Sequence, residues 1–250
     1  MNGNPTFLLV HGSWHVGDCW SGVAAHLREA GFPVATPTLA GHGTDCNRDV
    51  NHDDYVRSVI AELDQLSGEI VLVGHSFGGS VISRVAELRP ERCGLLVYYS
   101  AFVPRNGERV ADSLPEPLLA FIEESAASVP DRSVTLPLDL FASAFANTAD
   151  AAAAAALHQR LVPEPYGPIF EPLSLPRFSA LGIPSAYISC GQDLALPQGS
   201  FHPGQSSRLN APQLIEIAAD HEALFTAPRR LAWALLEAAL SGTARDSVAA

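Results

Sequence analysis

The sequence contains no lysine: all fifteen basic residues are arginine. Three kinds of site depend on a lysine side chain, namely the P-loop nucleotide site, the pyridoxal phosphate Schiff base and the lysine-dependent aldolase site. The absence of lysine therefore excludes all three. The arginines form no run and the formal net charge is −12, so neither nucleic acid nor an anionic membrane surface is expected as a partner.

Long apolar runs and clustered cysteines are also absent. No apolar stretch approaches the ~18 residues that cross a membrane, and the first residues, MNGNPTFLLVHG, have neither the positive start nor the long apolar centre of a signal peptide. The four cysteines, Cys19, Cys46, Cys93 and Cys190, lack the close spacing of a zinc site or a disulfide framework. The sequence thus predicts a reduced, cytoplasmic location, no metal and no cofactor.

What the sequence does contain is an alternation of apolar strands and helices, in a chain long enough for one sizeable core. The runs that predict strands are 6–12, 33–39, 69–74, 94–102, 183–193 and 213–222. The segments with helical periodicity are 20–32, 53–66, 79–90 and 227–240. This order predicts an α/β fold with a mostly parallel, doubly wound sheet that is covered on both faces.

The alternation stops between residues 104 and 182. This segment is rich in Pro, Ala and Ser, and it contains helical pieces such as EPLLAFIEESAASV and NTADAAAAAALHQRL but little that is typical of a buried strand. The sequence therefore predicts a core made of residues 1–103 and 183–250, with a helical cap (lid) inserted over 104–182.

A serine stands between glycines at the end of one predicted strand, in the sequence IVLVGHSFGGSVI. The pattern G-x-S-x-G at 74–78 is weak by itself, since a chain of this length contains one by chance about one time in ten. Its position at a strand-to-helix junction strengthens it, because such a turn lifts the Ser76 hydroxyl above the sheet, next to the positive end of the following helix. The alternative is a glycine-rich turn whose serine only caps the helix.

A serine nucleophile needs a base, and the base needs an acid that orients it. Among the nine histidines, His221 follows the last predicted strand, at the edge where open α/β sheets place their sites. Asp193 ends another predicted strand, whereas Asp220 is adjacent to His221 and is expected to point away from its ring. The sequence thus predicts the catalytic triad Ser76, Asp193 and His221. The alternative for His221 is a surface loop residue.

The turn after the first predicted strand, HGSWH, is expected to complete the site. Two N–H groups are predicted to stabilise an oxyanion: that of Phe77, at the start of the helix, and that of Ser13, where Gly12 lets the backbone turn inward. Trp14 and His15 are then expected close to the nucleophile. The alternative is a plain glycine turn with a buried tryptophan.

The predicted substrate pocket combines side chains from the core and the cap. Its members are Gly12, Trp14, His15 and Phe102 from the core, and Leu138, Phe141, Phe145 and Phe170 from the cap. The arginines of the cap are well separated in sequence, so the convergent positive charge that a phosphate or polycarboxylate requires is not expected. A pocket lined by these apolar side chains suits a neutral, largely apolar substrate group. The alternative is that the phenylalanines only pack the cap onto the core.

Four segments resemble one known family, in order across nearly the whole chain: FLLVHGSWHVGDCW, GHSFGG, SCGQDLALP and ADHEALFTAP. They are similar to the α/β-hydrolases of the branch that contains the plant methylesterases and hydroxynitrile lyases. Residues 104–182 agree with that branch only in position and size. The resemblance implies the α/β-hydrolase fold, the triad Ser76, Asp193 and His221, and oxyanion donors at Ser13 and Phe77.

Two positions distinguish the esterases of this branch from its lyases. The lyases have a threonine where this sequence has Gly12, and directly after the catalytic histidine they have a lysine that stabilises departing cyanide. This sequence has Glu222 there and contains no lysine. The resemblance therefore implies a hydrolase.

The sequence predicts a serine hydrolase that cleaves a carboxylic ester of a neutral, largely apolar small molecule through an acyl-enzyme. Two alternatives stay open. One is a natural-product tailoring enzyme on the same scaffold, acting on a thioester, lactone or carbon–carbon bond, or using the triad for elimination or cyclisation. The other is a binding module whose triad survives as a receptor pocket. In each case the expected partner is a small molecule, and the sequence carries no signal for an oligomeric state.

Overall fold

The computed structural model describes residues 4–199 and 201–246, and its central element is a six-stranded sheet. The strands are β1 (Thr6–Val10), β2 (Val34–Ala35), β3 (Ile70–His75), β4 (Leu95–Tyr99), β5 (Ser133–Val134), β6 (Glu164–Pro165), β7 (Ser185–Cys190) and β8 (Gln213–Ile217). The order in the sheet is β2-β1-β3-β4-β7-β8, and every neighbouring pair is parallel. The predicted parallel sheet is therefore confirmed.

Helices connect the strands. They are α1 (Ser21–Glu29), α2 (His52–Leu63), α3 (Gly78–Leu88), α4 (Glu116–Ala127), α5 (Leu138–Leu140), α6 (Ala151–His158), α7 (Gly167–Phe170), α8 (Ala223–Thr226) and α9 (Pro228–Asp246). A π-helical turn, Phe141–Phe145, continues α5. Side-chain caps begin two of the helices: Asn51 and Asp54 form a reciprocal capping box at α2, and Asp150 accepts the N–H of Ala153 at α6.

Both faces of the central strands are buried, because alternate residues of β1, β3 and β4 belong to different apolar clusters. In β1, Phe7 and Leu9 lie in the cluster that contains the inner faces of α1 and α9. Leu8 and Val10 lie in the cluster that contains the inner faces of α2 and α3. This doubly covered arrangement explains why the central strands are continuously apolar in sequence, whereas the edge strand β8 has exposed residues at Leu214 and Glu216.

The strand predicted at 33–39 is shorter than expected, since β2 contains only Val34 and Ala35. It lies at the edge of the sheet and pairs with Phe7 and Leu8. Prolines stand at 33 and 37, and a proline has no N–H to donate to a neighbouring strand. The proline positions therefore limit the length of β2.

The inserted segment (residues 104–182) contains α4 to α7 and a two-stranded antiparallel sheet of β5 and β6, in which Val134 pairs with Glu164. These strands were not predicted, because two residues carry no periodicity. Buried side chains of the segment, such as Ile122 and Phe141, belong to the same cluster as the α2 and α3 face of the sheet. The inserted segment therefore packs directly onto the core.

Candidate active site

Ser76 lies in the turn between β3 and α3, with a φ of 51°. A residue with a side chain adopts this left-handed region at a cost of about 1–3 kcal/mol. The turn also requires glycine on both sides. A Cβ at Gly74 would lie 2.6 Å from the carbonyl oxygen of Gly78, and one at Gly78 would lie 2.7 Å from that of His11. The glycines of the motif are therefore set by close packing of strand against helix.

Backbone hydrogen bonds hold this strained turn. The N–H of Ser76 donates to the carbonyl of Tyr99 at 3.1 Å, and the Ser76 carbonyl accepts the N–H groups of Gly79 and Phe102, each at 3.1 Å. These partners come from α3, from β4 and from the loop after β4. Because the turn is held from separate elements, the direction of the Ser76 side chain is fixed.

His221 and Asp193 are in direct contact, and both are buried. Nδ1 of His221 lies 2.7 Å from Oδ2 of Asp193, whose Oδ1 accepts the N–H of Leu196 at 2.8 Å. The His221 carbonyl accepts the Tyr99 hydroxyl at 2.5 Å and Nε2 of His75 at 3.1 Å. Since Nδ1 donates to a carboxylate, Nε2 of His221 is the nitrogen left to take a proton.

Two neighbouring histidines of the site, His221 and His75, have pKa values shifted in opposite directions. Burial alone would lower the pKa of His221, but the carboxylates around it, Asp193 first and then Glu222 and Asp220, together raise this pKa above its usual value. The His75 ring centroid lies 4.8 Å from that of His221. Burial first, and then His221 and His15, hold the pKa of His75 well below its usual value. The site thus pairs a histidine suited to holding a proton with one that stays neutral.

Asp220 is buried but its carboxylate is used elsewhere. Oδ2 accepts the N–H of Thr148 at 3.0 Å and its hydroxyl at 2.6 Å, while Oδ1 accepts the Thr226 hydroxyl at 2.6 Å. These contacts connect the loop before His221 with the inserted segment and with α8. The carboxylate that contacts the His221 ring is that of Asp193.

Ser76 and His221 face one chamber between the sheet edge and the inserted segment, with a free volume of about 20 Å³. Its lining residues from the core are Ser13, Trp14, Ser76, Phe77, Phe102, Ala195, Leu196 and His221. Those from the inserted segment are Val110, Leu114, Leu118, Ile122, Phe145 and Ile169. The free space in this conformation is close to the size of one water molecule.

A larger cavity of about 450 Å³ adjoins the chamber. The two spaces share Leu114, Leu118, Phe145 and Ala195. Phe145 lies at the end of the π-helical turn, and its ring centroid is 5.3 Å from that of His221 and 5.7 Å from that of Trp14. The boundary between the two spaces is therefore apolar and stands beside the His221 ring.

The structure brings together most of the residues predicted from the sequence. Those that line the chamber are Ser13, Trp14, Ser76, Phe77, Phe102, Phe145 and His221, with Asp193 behind His221. Gly12 lies against the nucleophile turn, since a Cβ at Gly12 would meet the Cβ of Ser76 at 2.8 Å. A glycine is therefore required for this close approach of the two loops.

Besides Gly12, four residues predicted as pocket walls lie outside the lining of the chamber, which differs from the prediction. Leu138 is 43% exposed, and Phe141 is fully buried beside His158, at 5.8 Å between ring centroids. Phe170 stacks on Tyr166 at 4.2 Å. His15 lies behind the site, where its Nε2 is 3.1 Å from a carboxylate oxygen of the buried Glu222. The change from α5 to a π-helical turn alters the direction of successive side chains. Helical spacing in the sequence therefore could not distinguish Phe145, which lines the chamber, from Leu138 and Phe141, which do not.

Sequence reasoning missed the wall that α4 and the residues before it provide. Leu114, Leu118 and Ile122 all face the chamber. Their four-residue spacing is a helical signal that was available in the sequence. What the sequence did not show is that this apolar face lies over Ser76.

Within the described ranges, no group of three or more His, Cys, Asp or Glu side chains could hold a metal ion. Among the same residues, none of the helices combines the length and apolar character needed to cross a membrane. The cytoplasmic location stays a prediction.

The Alpha/beta hydrolase family matches residues 7–235 of this sequence. The solved structure of an extracellular alpha/beta-hydrolase from a Paenibacillus species, described as sharing structural and functional homology with tobacco salicylic acid binding protein 2, is 40% identical. It superposes with a TM-score of 0.90 and covers 94% of this chain and 98% of that chain. The chain therefore belongs to the alpha/beta hydrolase family.

Two curated relatives are also similar. The carbendazim hydrolyzing esterase of Nocardioides sp. (strain SG-4G) is 41% identical over 117 residues, which cover 45% of this chain and 48% of the relative. The putative methylesterase 11, chloroplastic, of Arabidopsis thaliana is 29% identical over 254 residues, which cover 93% of this chain and 63% of the relative. The match thus spans less than two thirds of either relative. The resemblance to the branch that contains the plant methylesterases is confirmed.

Proposed function

We propose that this protein hydrolyses carboxylic esters through an acyl-enzyme, with Ser76 as nucleophile, His221 as base and Asp193 as the orienting acid. One observation carries the proposal: Ser76 and His221 face a single chamber, and Nδ1 of His221 lies 2.7 Å from Asp193. The names of two relatives, an esterase and a methylesterase, support the same chemistry.

In the first step, Oγ of Ser76 attacks the ester carbonyl carbon, its proton passes to Nε2 of His221, and the carbonyl π electrons move onto oxygen. The N–H groups of Ser13 and Phe77 stabilise this oxyanion. Phe77 supports the assignment because it stands at the start of α3, where N–H groups have no partner within the helix. Collapse of the intermediate expels the alcohol, protonated by His221. Water, deprotonated by the same histidine, then releases the acid and restores Ser76.

We also propose that the substrate is neutral and largely apolar, and that the inserted segment acts as a cap over it. In the described part of the chain, no arginine lines the chamber or the adjoining cavity. Leucine, proline, alanine and phenylalanine side chains supply most of the larger cavity. The chamber of about 20 Å³ suits a small group next to the scissile bond, and the cavity of about 450 Å³ suits the bulkier part of the ester.

A neutral aryl or medium-chain ester should have a kcat/KM at least about tenfold higher than a matched ester that carries a carboxylate, because an unpaired carboxylate loses its hydration in an apolar cavity. The net charge of −12 acts in the same direction. The measurement is kcat/KM for the two esters at one ionic strength. A preference for the anionic ester would contradict the proposal of an apolar pocket. A preference for a matched thioester or lactone would show that the bond cleaved is not that of a simple carboxylic ester.

The pH dependence follows from the raised pKa of His221. A ring with a raised pKa keeps its proton to a higher pH than an ordinary histidine, and only the neutral ring can accept the Ser76 proton. We therefore expect kcat/KM for an uncharged ester to fall as the pH falls through that pKa, with the midpoint above the usual value of about 6.5. Activity that persists well below this pH would contradict the role of His221 as base.

A further inference from the structure

Glu164 is a fully buried carboxylate that the inserted segment places against the core. Its Oε2 accepts the N–H of Trp14 and Nε2 of His42, each at 2.9 Å, and its Oε1 accepts the Tyr55 hydroxyl at 2.9 Å. A carboxylate is costly to bury unless it is paired and hydrogen-bonded. Glu164 meets both conditions through groups of the core.

His42 neutralises the charge of Glu164. Nδ1 of His42 lies 3.0 Å from the carbonyl oxygen of Ala40 while Nε2 faces the carboxylate, so both nitrogens donate, as in an imidazolium. Burial alone would lower the pKa of His42, but Glu164 and the Ala40 carbonyl together raise this pKa above its usual value. The pair is therefore neutral overall, and Glu164 adds little negative potential to a nearby oxyanion.

One of the groups bonded to Glu164, the N–H of Trp14, belongs to the loop after β1. Trp14 has a φ of 64°, a left-handed conformation that a tryptophan keeps only where its surroundings fix it. Three hydrogen bonds do so, and all come from the inserted segment. Besides the bond to Glu164, the Trp14 carbonyl accepts the N–H of Val162 at 2.8 Å, and Nε1 of Trp14 donates to the carbonyl of Val134 at 2.9 Å.

The peptide bond between Gly12 and Ser13 is held by His11. Nδ1 of His11 donates to the carbonyl of Gly12 at 2.8 Å, and Nε2 of His11 accepts the N–H of Leu39 at 3.0 Å. In a trans peptide the N–H points opposite to the carbonyl, so the N–H of Ser13 points away from His11. The direction of the Ser13 N–H is therefore set by His11 on one side and by the fixed Trp14 on the other.

We infer that Glu164 is a positioning residue for the oxyanion hole: held by His42 and Tyr55, it fixes Trp14 and thereby the N–H of Ser13. The inference rests on the proposed function, in which that N–H stabilises the oxyanion. The inserted segment then contributes to transition-state stabilisation as well as to the pocket walls.

The test compares Glu164→Gln with wild type by using a trifluoromethyl ketone analogue of a cleaved ester. Oγ of Ser76 adds to the ketone carbon, its proton passes to His221 and the carbonyl electron pair moves onto oxygen, so the inhibitor forms a tetrahedral oxyanion like that of the reaction. Three quantities are measured: kcat, the inhibition constant of the ketone, and the dissociation constant of the unreacted ester from a Ser76→Ala background.

Glutamine keeps the size of Glu164, but it replaces one carboxylate oxygen, an acceptor, with an NH₂ group, a donor. This NH₂ group then faces donors of Trp14, His42 or Tyr55. We expect kcat to fall and the inhibition constant to rise by the same factor, about 10- to 100-fold, because one oxyanion donor is displaced. The dissociation constant of the ester should change by less than about threefold, since ground-state binding does not use this donor.

Glu87→Gln is the matched control. Glu87 is also a buried carboxylate that joins the core to the inserted segment, and it accepts Nε of Arg177 at 3.0 Å. It stands at the far end of α3 and does not line the chamber. This variant should lose comparable thermal stability, while its kcat and ketone inhibition constant stay within about twofold of wild type.

A folded Glu164→Gln protein with unchanged kcat and ketone inhibition would overturn the inference, as would equal weakening of ketone and ester binding. Tyr55→Phe removes only the hydrogen bond to Oε1 of Glu164, and it replaces Glu164→Gln in the test if that variant does not fold. It should weaken catalysis and ketone binding together by about threefold or more, and unchanged values in that variant would likewise overturn the inference. A wild-type protein that neither cleaves esters nor binds the ketone would instead contradict the proposed function itself.

Discussion

Replacing Ser76 by alanine is expected to lower kcat for every cleaved ester by about 10⁶-fold. In the proposed mechanism the Ser76 oxygen forms the acyl bond, and an alanine methyl offers no atom in its place. The variant should fold, because alanine keeps the Cβ at a φ of 51° and the bonds to Tyr99 and Phe102 use only the backbone. The measurements are turnover of an activated ester, covalent labelling by a fluorophosphonate, and Tm.

Ser83→Ala is the matched control for this variant. Ser83 is a buried serine of α3 whose Oγ lies 2.8 Å from the carbonyl oxygen of Gly79 and 2.8 Å from the Tyr98 hydroxyl. It does not line the chamber, so activity and labelling should persist. Fast turnover by Ser76→Ala would contradict the acyl-enzyme, and an unlabelled, inactive wild type would favour a binding module.

The second large effect is expected for Asp193→Asn, with a loss of up to about 10⁴-fold in kcat. Asparagine keeps the shape of the side chain but removes the negative charge that stabilises a protonated His221, and its amide can hold the ring in the wrong tautomer. The pKa of His221 should fall, because among the carboxylates that raise it Asp193 contributes most. The pH at which kcat/KM is half its maximum should therefore move down in the variant.

Asp220→Asn separates this effect from general damage to the same region. Asp220 is as deeply buried as Asp193, but its oxygens accept from Thr148 and Thr226. We expect it to lower Tm through these lost bonds while kcat stays within about tenfold of wild type. If Asp220→Asn removed activity and Asp193→Asn did not, the assignment of the acid would be wrong.

The sheet and the turn at Ser76 were predictable because their signals are local. Continuous apolar runs report strands buried on both faces, and the spacing of glycines around Ser76 reports the close packing of β3 against α3. The order of the parallel strands then placed Asp193 and His221 at the same edge as Ser76. The short β2 differed from prediction where two prolines limit its pairing.

The pocket walls were less predictable, because they depend on how the inserted segment lies on the core. Leu138 and Phe145 are both apolar and close in sequence, yet one is 43% exposed and the other contacts the His221 ring. The π-helical turn that ends at Phe145 changes the direction of side chains, and no residue pattern marks it.

The sequence by itself determined the α/β fold, the serine between glycines and the three candidate catalytic side chains, since each follows from strand periodicity, from steric need for glycine, or from strand order. Only the tertiary structure decided which apolar side chains enclose Ser76 and that Glu164 holds Trp14. The physical reason is separation along the chain: the Trp14–Glu164 bond joins residues 150 positions apart. A buried carboxylate has no local signature, because what stabilises it is supplied by groups that only folding brings within hydrogen-bonding distance.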